Sequence, residues 1–342
     1  TFYKTSRKSN NKLLMQYAIL GIGQAGLRHF EGFNKIKKLK FIGFTEYNLK
    51  KAKIFEKQYK IKIYKNINEL LKQKLDFVVI SLPHDERSDP ITLCVKKKIN
   101  LLIEKPLALN ISELKKILPY TNKRNLIHTI SFVHRYREEV LQAYKLIRNN
   151  KIGKIKYITE TMISEKNPKL PKWIDDKKKS GGGVLIYNAI HSIDKLCFLV
   201  NSDVKKVYSE YNNINSKLKV EDTISIIIIF KNKTIANLNA IFAPYKTNPK
   251  WETKIFGEKG SIDLNIRKNL EIKSRTLNKK YNYENYYKKN GPNYNFSIQA
   301  KSYINCLKKR KSPLVKIEDG IKSVKIVDAI YKSIKQKKVI TL

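Results

Sequence analysis

The run Tyr17-Ala-Ile-Leu-Gly-Ile-Gly-Gln-Ala-Gly26 constrains this chain more than any other stretch, because an apolar segment breaks there into Gly-x-Gly-x-x-Gly. An apolar strand feeding such a turn suits a dinucleotide pyrophosphate. Gly21 permits the tight turn, Gly23 lets the backbone approach the phosphates, and Gly26 lets the next helix pack close to the strand. Ile22, Gln24 and Ala25 fill the same loop, and the following helix would aim its free N–H groups at the anion. The context fits. Residues 27–38 read as a helix with Leu27, Phe30, Phe33 and Ile36 on one face. A second strand over 39–45 ends at Glu46. A carboxylate about 20 residues past the last glycine, at that strand tip, accepts hydrogen bonds from ribose hydroxyls and repels a 2′-phosphate. The expected cofactor is therefore NAD rather than NADP.

The same grammar continues along the chain. Helices are expected over 49–59, 67–73, 88–98 and 112–118, and strands over 62–64, 76–82, 100–103 and 126–132. Alternation at this spacing predicts a doubly wound parallel sheet, an α/β Rossmann domain over 15–135. Ligands of such sheets bind at the carboxyl ends of the strands. Those ends carry Gly21–Gly26, Glu46, Ser81-Leu82-Pro83-His84 and Glu104-Lys105-Pro106. After a helix from Tyr136 through Asn149 the pattern changes. Segments 220–230 and 234–242 alternate around Lys231-Asn-Lys233 as an antiparallel hairpin, with further strands expected at 154–162, 204–211, 254–256 and 261–264. Helices return over 296–308 and 317–334. Residues 136–342 thus read as an α+β domain on a large, mostly antiparallel sheet.

At 342 residues the chain can form two well-built cores. No apolar run approaches the roughly 20 residues that span a bilayer, so no membrane partner is expected. Cys94, Cys197 and Cys306 are scattered, with no Cys-x-x-Cys pair, which points to a reducing, cytoplasmic setting and to no structural metal. The net charge of +42 is mostly lysine and is spread along the whole chain. A nucleic-acid binder concentrates its charge and interleaves arginine with exposed aromatics, so the lysines read as a solvated surface. Residues 1–14 are basic, polar and free of acids, and read as an extension outside the fold.

Two further segments, Glu104-Lys105-Pro106 and Gly181-Gly-Gly-Val-Leu-Ile-Tyr-Asn-Ala-Ile-His-Ser-Ile-Asp194, complete a pattern. With Trp251-Glu-Thr-Lys-Ile-Phe-Gly-Glu-Lys-Gly-Ser-Ile262 and Val315-Lys-Ile-Glu-Asp-Gly320, the chain from Met15 onward resembles the glucose–fructose oxidoreductase / inositol dehydrogenase / MocA-like family. The resemblance implies an NAD(P)-dependent oxidoreductase acting on a sugar, sugar nucleotide or polyol, assembled as a homodimer or homotetramer. It implies a cis peptide before Pro106, Lys105 as the catalytic cation, and His191 as the proton-exchanging group.

Chemistry agrees with those roles. Hydride transfer from a carbinol needs a base for the hydroxyl proton and a cation for the developing alkoxide. Tyr187 and Asn188, one helical turn before His191, would help select the hydroxyl presented. His134 and Arg135, near the last parallel strand, are expected to contact substrate, and Trp173 and Trp251 are candidates to line a sugar site. Glu104 and Lys105 join the cofactor contacts, with the Lys105 ammonium in reach of both the substrate oxygen and the nicotinamide ribose, and Asp194 reads as a structural pairing partner. The chain departs from the family at Tyr187, where an aspartate is usual, at Val133 and at Arg87. Those departures leave two other readings: the same scaffold running NAD-mediated glycoside hydrolysis or internal redox cycling, or an NAD-binding protein without turnover.

Overall fold

The computed structural model describes residues 14–121, 125–166 and 170–342, so the expectation for residues 1–14 lies outside the described residues apart from Leu14. Five strands, β1 (Met15–Leu20), β2 (Leu39–Thr45), β3 (Phe77–Ile80), β4 (Asn100–Ile103) and β5 (His128–Ile130), form a parallel sheet in the order β2-β1-β3-β4-β5. The central strands are apolar because helices cover both faces: every residue of β3 is buried, as are Leu101, Leu102 and Ile103 of β4. The helix after the glycine loop runs Gln24–Asn34, earlier than periodicity alone suggests, since Gly23 sits at its N-cap. The expected strand at 62–64 is reduced to one bridge between Phe44 and Ile63.

The remaining strands are β6 (Ile155–Glu165), β7 (Val204–Asn212), β8 (Thr223–Phe230), β9 (Ile235–Ala243), β10 (Lys250–Gly257), β11 (Gly260–Asn265), β12 (Asn269–Ser274), β13 (Asn278–Asn282) and β14 (Ile340–Thr341). They form one sheet in the order β13-β12-β11-β10-β6-β9-β8-β7-β14. All neighbours run antiparallel except β6 and β9, which pair in parallel from Tyr157↔Ile235 to Glu165↔Ala243. Inward residues such as Ile224, Ile226, Ile228 and Phe230 alternate with outward ones, so one face is core and the other is open.

The helix Ile190–Val200 packs on the inner face. A fully buried polar knot holds it there. Lys195 Nζ lies 2.9 Å from Glu160 Oε1 and donates to Thr253 Oγ1 at 2.7 Å. Thr253 in turn donates to Glu160 Oε2 at 2.6 Å, and Ser192 Oγ to Glu160 Oε1 at 2.7 Å. The stretch Lys177–Val200 is long and apolar enough to cross a membrane by length and composition, contrary to the sequence expectation. Its apolar window is 78% buried inside the fold, where it serves as a core helix. The late helix Tyr294–Lys309 returns to the parallel sheet: Ala300, Tyr303, Ile304 and Leu307 share a core with Tyr17, Phe33 and Phe77. Among the described residues all three cysteines are free.

Candidate active site

The carboxyl ends of β1–β4 bring together the glycine loop, Glu46, the Ser81–His84 tip and Glu104-Lys105-Pro106. Gly21 has φ +81°, and its N–H donates to Thr45 O at 2.9 Å, joining the tips of β1 and β2. A Cβ on Gly26 would lie 2.1 Å from Gly21 O, so that glycine is required by the protein itself. A Cβ on Gly23 would meet nothing within 4 Å. The fold leaves open space where the loop faces outward, the space a pyrophosphate needs. Glu46 is held at the tip of β2, its Oε2 accepting from Ile22 N at 3.0 Å and its Oε1 from Asn48 N at 2.9 Å. Each oxygen keeps a further lone pair for a ribose hydroxyl. The buried Ser81 Oγ has no partner among the described residues and sits beside the same loop, 3.2 Å from a Cβ on Gly26. Open cradle, anchored carboxylate and orphaned hydroxyl together fit NAD.

The next two tips are fastened by Arg87. Its Nε donates to Leu82 O at 2.8 Å and its Nη1 to Glu104 O and Pro106 O, both at 2.7 Å. The peptide Lys105–Pro106 is cis. The Glu104 carboxylate is taken up by His29 Nε2 at 2.7 Å and by Lys105 N at 3.2 Å. Burial alone would raise its pKa. The His29 hydrogen bond, with the nearby His29, Lys105 and Arg87 charges, brings it down to about 2. Glu104 therefore acts at the site as a fixed negative charge beneath Lys105. Lys105 Nζ donates to the carbonyl of Tyr187 and lies 4.7 Å from the centre of that ring. Burial, aided by Arg87 and Arg28, lowers Lys105 to about 8 against the pull of Glu104.

Tyr187 does not share a regular helical face with His191. Leu185–Ala189 forms a π turn before the helix Ile190–Val200, and the wider turn changes the angular offset between the two residues. Close packing sets that turn. A Cβ on Gly183 would lie 1.8 Å from Glu221 O, and Glu221 Oε1 accepts from Gly183 N at 2.9 Å, Leu185 N at 3.2 Å and Tyr331 Oη at 2.8 Å. Asn188 Nδ2 reaches Ser164 Oγ at 3.5 Å.

His191 is 8% exposed, with Nδ1 buried and unpartnered, and its ring stacks on His134 at 4.7 Å. Burial first, then the Lys105 charge, hold it well below the usual histidine range. Burial, together with His191 and Arg137, does the same to His134. Trp251 meets His134 edge-on at 4.9 Å. His84 Nδ1 pairs with Ser180 O at 2.7 Å, and its ring packs against Trp173 at 4.9 Å.

Arg135 corrects the sequence expectation. Its Nε and Nη2 bind Asp194 at 2.9 and 2.6 Å, while its Nη1 binds Asp319 at 3.1 Å and Leu314 O at 3.3 Å. With its donors matched inside the fold, Arg135 braces the turn Val133–Tyr136 to two helices and has none left for a substrate. His29, Arg28, Arg137 and Glu221 enter the site or its support without a signal in the sequence reading. No group of three or more histidine, cysteine or acidic side chains suited to a metal occurs among the described residues.

Residues 15–132 match the family described as "Oxidoreductase family, NAD-binding Rossmann fold", and residues 144–342 match "Oxidoreductase family, C-terminal alpha/beta domain". The chain belongs to this glucose–fructose oxidoreductase/inositol dehydrogenase/MocA family. It is 22% identical over 338 residues to myo-inositol 2-dehydrogenase from Thermotoga maritima, covering 96% of this chain and 98% of that one. It is 27% identical over 237 residues to glucose-6-phosphate 3-dehydrogenase from Bacillus subtilis, covering 66% and 67% of the two chains. Among solved structures, levoglucosan dehydrogenase in complex with NADH and levoglucosan superposes with a TM-score of 0.86 at 19% identity, covering 96% of this chain and 99% of that one. An oxidoreductase from Agrobacterium radiobacter in complex with NAD+, L-tartaric acid and magnesium superposes with a TM-score of 0.84 at 15% identity, covering 96% and 98%. The two superposed structures share the fold of the chain.

Proposed function

We propose that this family member is an NAD-dependent dehydrogenase that interconverts a hydroxyl and a keto group on a sugar, sugar nucleotide or polyol. The observation that carries the reading is the placement of Lys105 at the tip of β4, its Nζ on the Tyr187 carbonyl and near enough to His191 for its charge to act on that ring. The names of the relatives, which are dehydrogenases of sugars and polyols, support it. Glu46 supports NAD over NADP. NAD, held by residues 21–26, Glu46 and the Ser81–His84 tip, supplies the hydride acceptor when bound.

The side chains do the rest. At neutral pH the Lys105 ammonium keeps one donor on the Tyr187 carbonyl and aims another at the reacting oxygen, stabilising negative charge as it develops. His191, neutral because burial disfavours its cation, takes the hydroxyl proton through Nε2. Trp173 and Trp251 flank the cleft and present apolar faces to sugar C–H groups. The cytoplasmic setting is part of the same reading. So is a homodimer or homotetramer joined through the open sheet face, where Tyr157, Ile227, Ile235 and Phe256 are exposed.

The pH profile of kcat/KM tests the assignment. Lys105 is protonated below about 8 and His191 remains neutral well below its ordinary value, so oxidation is expected to be level around neutrality and to fall above about pH 8. A profile that instead rises through pH 8 would make neutral Lys105 the base and contradict these roles.

A further inference from the structure

Three buried arginines lie close to the site, and their surroundings differ. Arg87 and Arg135 direct their buried donors to matched carbonyls and carboxylates. Arg137 is 4% exposed, yet its Nε and Nη1 are buried with no hydrogen-bond partner among the described residues. Its guanidinium lies 5.9 Å from the centre of the Tyr287 ring, and the carboxylate next to it in the fold is already engaged. Glu139 accepts from Tyr287 Oη at 2.7 Å and from Arg267 N at 2.9 Å. A buried guanidinium with unused donors is costly to the fold unless something else binds it.

Its position gives that cost a purpose. Arg137 directly follows the Val133–Tyr136 turn, whose His134 stacks on His191 and meets Trp251. Arg267 sits in the turn between β11 and β12, which Glu139 anchors, and Ile266 N donates to Trp251 O at 3.0 Å. Arg28, on the helix Gln24–Asn34, is near enough that its charge, like that of Arg137, acts on Arg267. A planar guanidinium with two unpartnered donors, as at Arg137, suits an oxyanion bound in two-point fashion.

We infer that Arg137, flanked by Arg267, is an anion subsite for the substrate, so that the sugar or polyol carries a phosphate or carboxylate group bound beyond His134. The assignment of this anion to a substrate rests on the dehydrogenase reading, whereas the subsite itself is testable without turnover.

Inorganic phosphate titrated calorimetrically into the full chain at constant ionic strength is the test, with NADH titrated separately into the same preparations. Wild type is expected to bind phosphate at one site, and Arg137→Gln to bind it at least about tenfold more weakly. Arg267→Gln weakens it less, and Lys280→Gln on the edge strand β13 leaves it unchanged. In the absence of phosphate the melting temperature of Arg137→Gln is expected not to fall, because a buried charge with two unpartnered donors has been removed. If Arg137→Gln does not fold, Arg137→Lys keeps the cation and loses the fork, and a drop in affinity of about threefold is expected. Acetate run in parallel separates the sources: tighter phosphate assigns a phosphoryl group, and parity assigns a carboxylate. Equal phosphate affinity in wild type and the Arg137 variant, or no phosphate binding in either, overturns the subsite. Failure of NADH to bind overturns the dehydrogenase reading instead, whatever phosphate does.

Discussion

Replacing Lys105 with methionine is expected to lower kcat/KM by about 1000-fold while leaving NADH affinity within a few-fold of wild type. The magnitude follows from removing a preorganised cation aimed at a developing oxyanion, where loss of one donor costs on the order of 100- to 1000-fold. A methionine at 105 lacks the charge, and with it the donors to the Tyr187 carbonyl and to the reacting oxygen. The cradle at residues 21–26 and Glu46 are built from other strands and stay intact. Arginine should not rescue the loss, because its planar fork cannot occupy the space of a compact ammonium. Steady-state kinetics beside a fluorescence titration of NADH separate the two effects. A matching fall in NADH affinity would move Lys105 from the reacting oxygen to the cofactor.

Replacing Arg135 with alanine is expected to destabilise the protein by about 3–5 kcal/mol, the cost of leaving buried carboxylates without their partner. Arg135 is 5% exposed and Asp194 1% exposed, so solvent offers little compensation. One guanidinium ties the Val133–Tyr136 turn to the helix Ile190–Val200 through Asp194 and to the start of the helix Ile317–Gln336 through Asp319. Breaking it loosens the two domains together. Asp194→Asn should cost less, since the amide still accepts one hydrogen bond. Urea unfolding followed by circular dichroism measures both. A variant of unchanged stability but raised KM would return Arg135 to the substrate.

The parallel sheet was legible because its strands are buried on both faces and read as apolar runs between turn residues. The segment over 49–59 and the strand over 39–45 lie where periodicity places them. The glycine loop was legible because its spacing answers to a ligand as well as to packing. Elsewhere the partners are remote in sequence. The parallel pairing of β6 with β9 joins segments far apart in the chain, and nothing in either segment encodes the direction of its neighbour. β13, Asn-Lys-Lys-Tyr-Asn, is an edge strand whose polar residues conceal it. The π turn at Leu185–Ala189 depends on contacts with Glu221 and Tyr331, which local propensity does not record.

Arg135 and Arg137 show the limit most clearly. Two residues apart, one is saturated by Asp194 and Asp319, which lie 59 and 184 positions away, and the other keeps two buried donors without a partner. Their residue type was readable from the sequence. Their roles depend on which side chains the fold brings to them.

The most direct test of the cofactor site is a titration of NADH and NADPH against wild type, Gly23→Ala and Glu46→Ala. Wild type is expected to prefer NADH by about tenfold or more. Gly23→Ala should weaken both cofactors without lowering stability, since its Cβ meets only open space. Glu46→Ala should erase the preference, chiefly by weakening NADH. Failure of wild type to bind either cofactor, or a preference that survives the loss of Glu46, would contradict the account.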